Sequence, residues 1–170
     1  ALVVMAGNPV LSAPDGERLD RALPGLELMV SIDPFLNETS RHAHVVLPAP
    51  SPLAQPHYDA LLYQMAVRNA GRWSPPVLPL EPGALAEWEI LLRLAAVFGG
   101  GGAKADARAL DDAALLARLR AASADPSSPL HGRDAHELFA RAPVEPGPGR
   151  ILDFELRTGP YGDRYGAVEG

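Results

Sequence analysis

Three polar clusters, each directly after an apolar run, are where this sequence could do chemistry: Gly7, Asn8 and Pro9 after LVVMA, Asp33 and Phe35 after LMVSI, and the loop from Pro48 after HVVL. An ionised carboxylate such as Asp33 only accepts hydrogen bonds, so at a strand end it suits a ribose hydroxyl or a base edge. Gly7-Asn8-Pro9 is a tight turn carrying an amide side chain. The glycine fingerprint G-x-G-x-x-G is missing after the first run, which argues against an ordinary nicotinamide cofactor. Strand ends of any α/β protein also carry Gly, Asn and Asp as turn formers, so the residues by themselves leave both roles open.

These residues need strands to position them. The runs 2 to 9, 26 to 35 and 44 to 48 read as strands, and the segments between them carry helix-start chemistry, with Asp15 and Asn37 as candidate N-caps. The alternation predicts β-α-β-α-β in a mainly parallel, doubly wound sheet, Rossmann-like or flavodoxin-like, with helices on both faces and strands buried on both sides. In such sheets ligands sit beyond the carboxyl ends of the strands. A proline-rich loop at 49 to 59 is expected across that edge, and 61 to 69 reads as a strand or a short helix. Residues 84 to 100 form the clearest helix, with Leu85, Trp88, Leu91, Leu92, Ala95 and Ala96 on one face and Gly99 as the stop. Further helices are predicted at 109 to 123, where Asp111 and Asp112 suit the helix dipole, and at 131 to 141, with a strand at 151 to 156. The domain reading is a binding core at 1–100, a helical and loop extension at 101–150, and a terminal strand and tail at 151–170.

Composition excludes several function classes. A net charge of -6 with no Lys/Arg run argues against nucleic acid. The absence of cysteine excludes disulfides, iron–sulfur ligation and thiolate zinc sites within this chain. No apolar run is long enough for a membrane span. The 18 prolines and 16 glycines, concentrated after residue 48, imply long irregular connections. The chain opens inside a strand and closes on RTGPYGDRYGAVEG, which reads as a piece of a longer polypeptide.

Two other residue sets compete. His42, His44, His57 and Asp59 are of metal-ligating type, but His42 ends a predicted helix and His44 begins a strand, away from the loop that bears His57, so no metal site is expected. Arg41, Arg68 and Arg72 near Tyr63 and Trp73 could meet phosphate, although a solvated rim is the commoner outcome. Nucleophilic catalysis has no support: Ser12, Ser31 and Ser40 lack a G-x-S-x-G elbow.

The ordered series GNPVLSAPD, VSIDPFLNETSRHA, HVVLPAPSPL and PGALAEWEILLRLAAVFG resembles the third domain of the molybdopterin oxidoreductases, the large subunits related to formate dehydrogenases and nitrate reductases. It covers about residues 1 to 100. The resemblance implies a domain binding one of two molybdopterin guanine dinucleotides that chelate molybdenum or tungsten. The family's cofactor contacts fall on Asn8, Ile32 and Asp33, with Gln55 and Glu87 as further contacts and Gly7, Pro9 and Phe35 around them. A carboxylate at Asp33 can accept two bonds from the N1 and N2 edge of guanine, and Asn8 beside Gly7 can meet a ribose or phosphate. The chain departs from the pattern at His44, where Asp is common, and at Ala54 and Gln55, which replace a Glu and sometimes a Lys.

The function implied is that of a fragment of a molybdenum or tungsten bis-pterin oxidoreductase. It would supply one guanine-dinucleotide site, without catalytic residues or metal ligands of its own, and would be inactive and without the complete cofactor when isolated. The implied partners are the remaining domains of the parent chain and an electron-transfer subunit, in the cytoplasm. The alternative is a non-catalytic interaction or nucleotide-binding module with the same fold.

Overall fold

The computed structural model describes residues 1–63, 65–68, 70–102, 104–143 and 145–167. They form two compact units, Ala1–Ile90 and Leu91–Gly170.

The first unit is built on three parallel strands, β1 (Leu2–Met5), β2 (Met29–Ile32) and β3 (Val45–Leu47), in the order β1-β2-β3. Val30 lies opposite Val3 on one side and Val45 on the other. This is the expected α/β arrangement of the doubly wound kind. Every residue of β2, the polar Ser31 included, is buried, as befits the middle strand. The expectation of burial on both faces fails for its neighbours, because Val3, Met5 and Val45 at the flanks of the three-stranded sheet are exposed.

Between β1 and β2 the chain makes two helices, α1 (Pro9–Ser12) and α2 (Gly16–Ala22). Proline at the first position of α1 costs no hydrogen bond, since that N–H has no partner within a helix. Asp15 precedes α2, as expected, but adopts the left-handed conformation with φ 57° and makes no side-chain cap. A Cβ on Gly16 would stand 1.9 Å from the Val10 carbonyl oxygen, so only glycine allows the two helices to approach here. The segment after β2, expected as a helix, closes only a 3-10 turn at Ser40–His42. Asn37 Oδ1 nevertheless accepts from the N–H groups of Thr39 at 3.0 Å and Ser40 at 2.9 Å.

The proline-rich loop after β3 holds its own geometry through a 3-10 turn at Pro52–Ala54 and a pair of 2.9 Å backbone bonds between His57 and Ser74. Helix α3 (Ala60–Tyr63) is a single turn, while Gln64 and Asn69 of the expected element lie outside the described residues. Helix α4 (Glu87–Phe98) starts three residues later than the pattern predicts, because Gly83 turns the chain at φ 82° and Glu89 accepts from the Ala86 N–H at 2.8 Å. Ile90 is its buried residue and Leu91 is exposed, so the apolar face is rotated from the expected one.

The second unit carries α5 (Ala107–Ala124), α6 (Ala135–Ala140) and α7 (Pro148–Thr158). Their core is Leu115, Leu119, Leu130, Leu138, Phe154 and Tyr165. Asp106 and Asp134 are the caps, the first accepting from the Arg108 N–H and the second from those of His136 and Glu137. Asp111, expected to serve the dipole, lies in the second turn and is buried against Arg150. The strand expected at 151 to 156 is part of α7. Pro148 starts it, Arg150 and Phe154 are buried four residues apart, and Asp153 pairs with Arg157 at 2.9 Å, all at helical spacing. None of the described helices is long and apolar enough to cross a membrane.

Candidate functional site

A cleft of about 340 Å³ opens at the carboxyl ends of β1 and β2, lined by Ala6, Gly7, Asn8, Asp33, Pro34, Phe35 and Asn37. This is the edge at which parallel sheets present ligand-binding residues, because each strand ends there in a loop while its apolar body stays in the core. Its size sits near the lower end of small-molecule sites, roughly 300–1,000 Å³.

Asp33 follows the fully buried β2 and is itself only 8% exposed. Its Oδ1 accepts from the Phe35 N–H at 2.8 Å and its Oδ2 from Asn37 Nδ2 at 3.2 Å. Each carboxylate oxygen has two acceptor sites, so both keep one for a ligand. The charge faces neutral donors, and no ion pair involves Asp33 among the described residues. The carboxylate at the end of β2 is thus part of the fold, and removing it costs stability.

On the other wall, Asn8 donates from Nδ2 to Glu38 Oε2 at 2.5 Å and accepts at Oδ1 from the Thr39 hydroxyl at 2.8 Å. The bond from Asn8 holds the Glu38 carboxyl below the usual carboxylate range. Gly7 forms the floor. Its φ is not in the left-handed region, and an added Cβ would meet nothing nearer than the Met5 carbonyl oxygen at 3.6 Å. Neither backbone nor packing demands glycine at this point, whereas a ligand resting on the main chain would. Ala6 beside it is held at φ 48°, a conformation that costs a non-glycine residue on the order of 1 kcal/mol. Phe35, 72% exposed, offers a ring face at the rim.

The lining therefore presents acceptors, an aromatic surface and open backbone, with no cation. It suits a ligand portion rich in donors, such as a purine amide edge or ribose hydroxyls, better than a phosphate. Arg41 is engaged outside the cleft with Asp20 at 2.6 Å, and the bonds from Arg41 and then His42 hold the Asp20 carboxyl low.

Of the residues singled out from sequence, Gly7, Asn8, Asp33 and Phe35 come together in the cleft. Pro9 begins α1 directly after the floor. Ile32 is fully buried under Asp33, so its side chain serves the core. Gln55 follows the 3-10 turn of the proline-rich loop, with a buried Nε2 that has no partner among the described residues, and Glu87 begins α4. Neither lines the cleft. Ala6, Pro34, Asn37 and, behind the wall, Thr39 are additions. Only Asn37 carried a sequence signal, as a cap. His42 meets Asp20 at 2.6 Å and His44 Nδ1 accepts from the Met29 N–H at 3.0 Å, and no cluster of three or more potential metal ligands occurs among the described residues.

No family model matches the chain, and no solved structure matches significantly. Among curated proteins it is 31% identical over 160 residues to the assimilatory nitrate reductase catalytic subunit of Bacillus subtilis, covering 89% of this chain and 21% of that protein. It is 35% identical over 101 residues to the F420-dependent formate dehydrogenase 1 subunit alpha of Methanococcus maripaludis, covering 59% of this chain and 14% of that protein. It is 47% identical over 49 residues to the NADPH-Fe(3+) oxidoreductase subunit alpha of Geobacter sulfurreducens, covering 29% of this chain and 6% of that protein. The chain thus spans about a fifth or less of the length of these relatives.

Proposed function

We propose, on the premise that this chain belongs to the molybdopterin oxidoreductases through its homology to nitrate reductase and formate dehydrogenase alpha subunits, that its cleft holds the guanosine end of one molybdopterin guanine dinucleotide. The parent is a bis-pterin oxidoreductase carrying molybdenum or tungsten, completed by further domains and served by an electron-transfer subunit. When bound, the metal–pterin group supplies the redox chemistry. This chain's residues bind and orient one of its ends.

The observation that carries the reading is the buried Asp33 carboxylate at the end of β2, held by neutral donors and lining a cleft floored by an unhindered glycine. Two free acceptor sites on one carboxylate match the N1–H and N2–H₂ donors of guanine. Adenine presents an acceptor at N1 and cannot make that pair. Asn8 supplies a further polar group for ribose hydroxyls, and the Phe35 ring offers a stacking face. The acceptors of the lining fit a nucleoside, and the pterin end falls to other parts of the parent.

The test is a titration of the chain with GMP and AMP followed by amide chemical shifts. GMP should bind weakly with shifts at Gly7, Asn8 and Phe35, and AMP more weakly still. Asp33→Asn should lower GMP affinity by about tenfold or more, the loss of one to two charge-assisted bonds. Equal affinity for the two nucleotides, or an unchanged Asp33→Asn, defeats the guanine reading. The purified chain should hold molybdenum or tungsten well below one equivalent by elemental analysis.

A further inference from the structure

We propose that Thr39, which does not line the cleft, is the positioning residue that orients both amide side chains of its walls, an inference that rests on the guanosine reading above. Thr39 is fully buried. Its hydroxyl donates to Asn8 Oδ1 at 2.8 Å and accepts from the Val10 N–H at 3.0 Å, contacts that reach 31 and 29 residues back along the chain. Its backbone N–H donates to Asn37 Oδ1 at 3.0 Å, and Asn37 Nδ2 in turn donates to Asp33 Oδ2 at 3.2 Å.

The consequence lies in which atoms the ligand meets. A hydroxyl has one proton, and this one is committed to Asn8, which sets Oδ1 toward Thr39 and Nδ2 toward Glu38. Asn8 then shows the cleft one remaining amide proton and one lone pair in a single orientation. On the opposite wall, Asn37 Oδ1 is taken by the N–H groups of Thr39 and Ser40, so Nδ2 must turn to Asp33. Were the amide reversed, its oxygen would oppose the carboxylate. Thr39 thus joins the loops after β1 and β2 through its side chain on one side and its main chain on the other. A preorganised wall binds more tightly because the orientation need not be fixed at the moment of binding.

Thr39→Val keeps the shape and the backbone N–H while removing the hydroxyl, so it frees the Asn8 wall and leaves the Asp33 wall in place. GMP affinity should fall by about tenfold, the effect of one lost hydrogen bond with its partner left unpaired. The preference for GMP over AMP should survive, since Asp33 carries it. Thr39→Ser should bind GMP to within about twofold of the unchanged chain, and Asn8→Ala combined with Thr39→Val should bind no worse than Asn8→Ala alone, the signature of residues acting as one unit. A merely structural threonine would instead add its loss to that of Asn8→Ala. If Thr39→Val does not fold, Thr39→Ser decides: retained affinity despite the lost buried methyl supports the inference, and a tenfold loss overturns it. Unchanged binding by Thr39→Val overturns the inference while leaving the guanosine reading intact. No GMP binding by the unchanged chain overturns both.

Discussion

Asp33 in the first unit and Asp111 in the second are each 8% exposed, and each accepts a backbone N–H and a side-chain donor. Around Asp111 the side-chain donor is the Arg150 guanidinium at 2.9 Å, which also pairs with Asp112, donates to the Pro143 carbonyl oxygen and lies over the Phe139 ring. Around Asp33 it is the neutral amide of Asn37. The two carboxylates share their burial and differ in the charge of their partners. A carboxylate matched by a guanidinium has its charge compensated within the fold, whereas one held by neutral donors still has charge and lone pairs to offer an incoming group.

The comparison breaks most easily at Arg150. Arg150→Met leaves the Asp111 carboxylate buried without a counter-charge, and should cost about 3–5 kcal/mol in urea unfolding followed through the helical unit. Asp33→Asn keeps an acceptor for the Phe35 N–H and should cost about 1–2 kcal/mol. Equal losses would show that neither the cation nor its absence distinguishes the two sites.

Gly7→Ala sharpens the contrast from the side of function. The added methyl has room within the fold, so the thermal midpoint should stay unchanged while GMP affinity falls several-fold, because Gly7 lines the cleft. Gly16→Ala is the control, since its methyl would collide with the Val10 carbonyl oxygen and should lower the midpoint. A lowered midpoint for Gly7→Ala would make that glycine a packing residue.

The smallest effect is that of acid. Arg41 and then His42 depress the Asp20 carboxyl in the folded chain, and the bond from Asn8 depresses that of Glu38. Carboxyls lowered in the folded state contribute stability that is fully present above their unfolded values near pH 4 and lost as pH falls through the lower folded values. The thermal midpoint should therefore drop as pH falls from about 4.5 toward 2.5, and Asp20→Asn should make that drop shallower. Glu38 is exposed and Asp20 partly so, and salt should therefore weaken the effect. An identical pH profile for Asp20→Asn would remove the ion pair from the account.

The strand–loop alternation of the first fifty residues was legible because each strand is a short apolar run ended by Gly, Asp or Pro. That punctuation also marked Gly7, Asn8, Asp33 and Phe35. The same reasoning misread 151 to 156 as a strand, since Ile, Leu, Phe and Leu in a short run fit either period. Burial of Arg150 with Phe154 and the Asp153–Arg157 pair decided for a helix. Gln55 and Glu87, which rested on the resemblance alone, fall outside the cleft lining.

By itself the sequence determined the parallel α/β class and the strand ends at which a ligand site would lie, because side-chain periodicity and turn chemistry are local. Only the tertiary structure decided that Asp33 is buried among neutral donors, that Asp111 is compensated by Arg150, and that Thr39 joins two loops about thirty residues apart. The donors to Asp33 are local and only its burial is set by packing, whereas the Asp111 and Thr39 contacts join residues distant in the chain, whose partners are chosen by packing rather than by spacing.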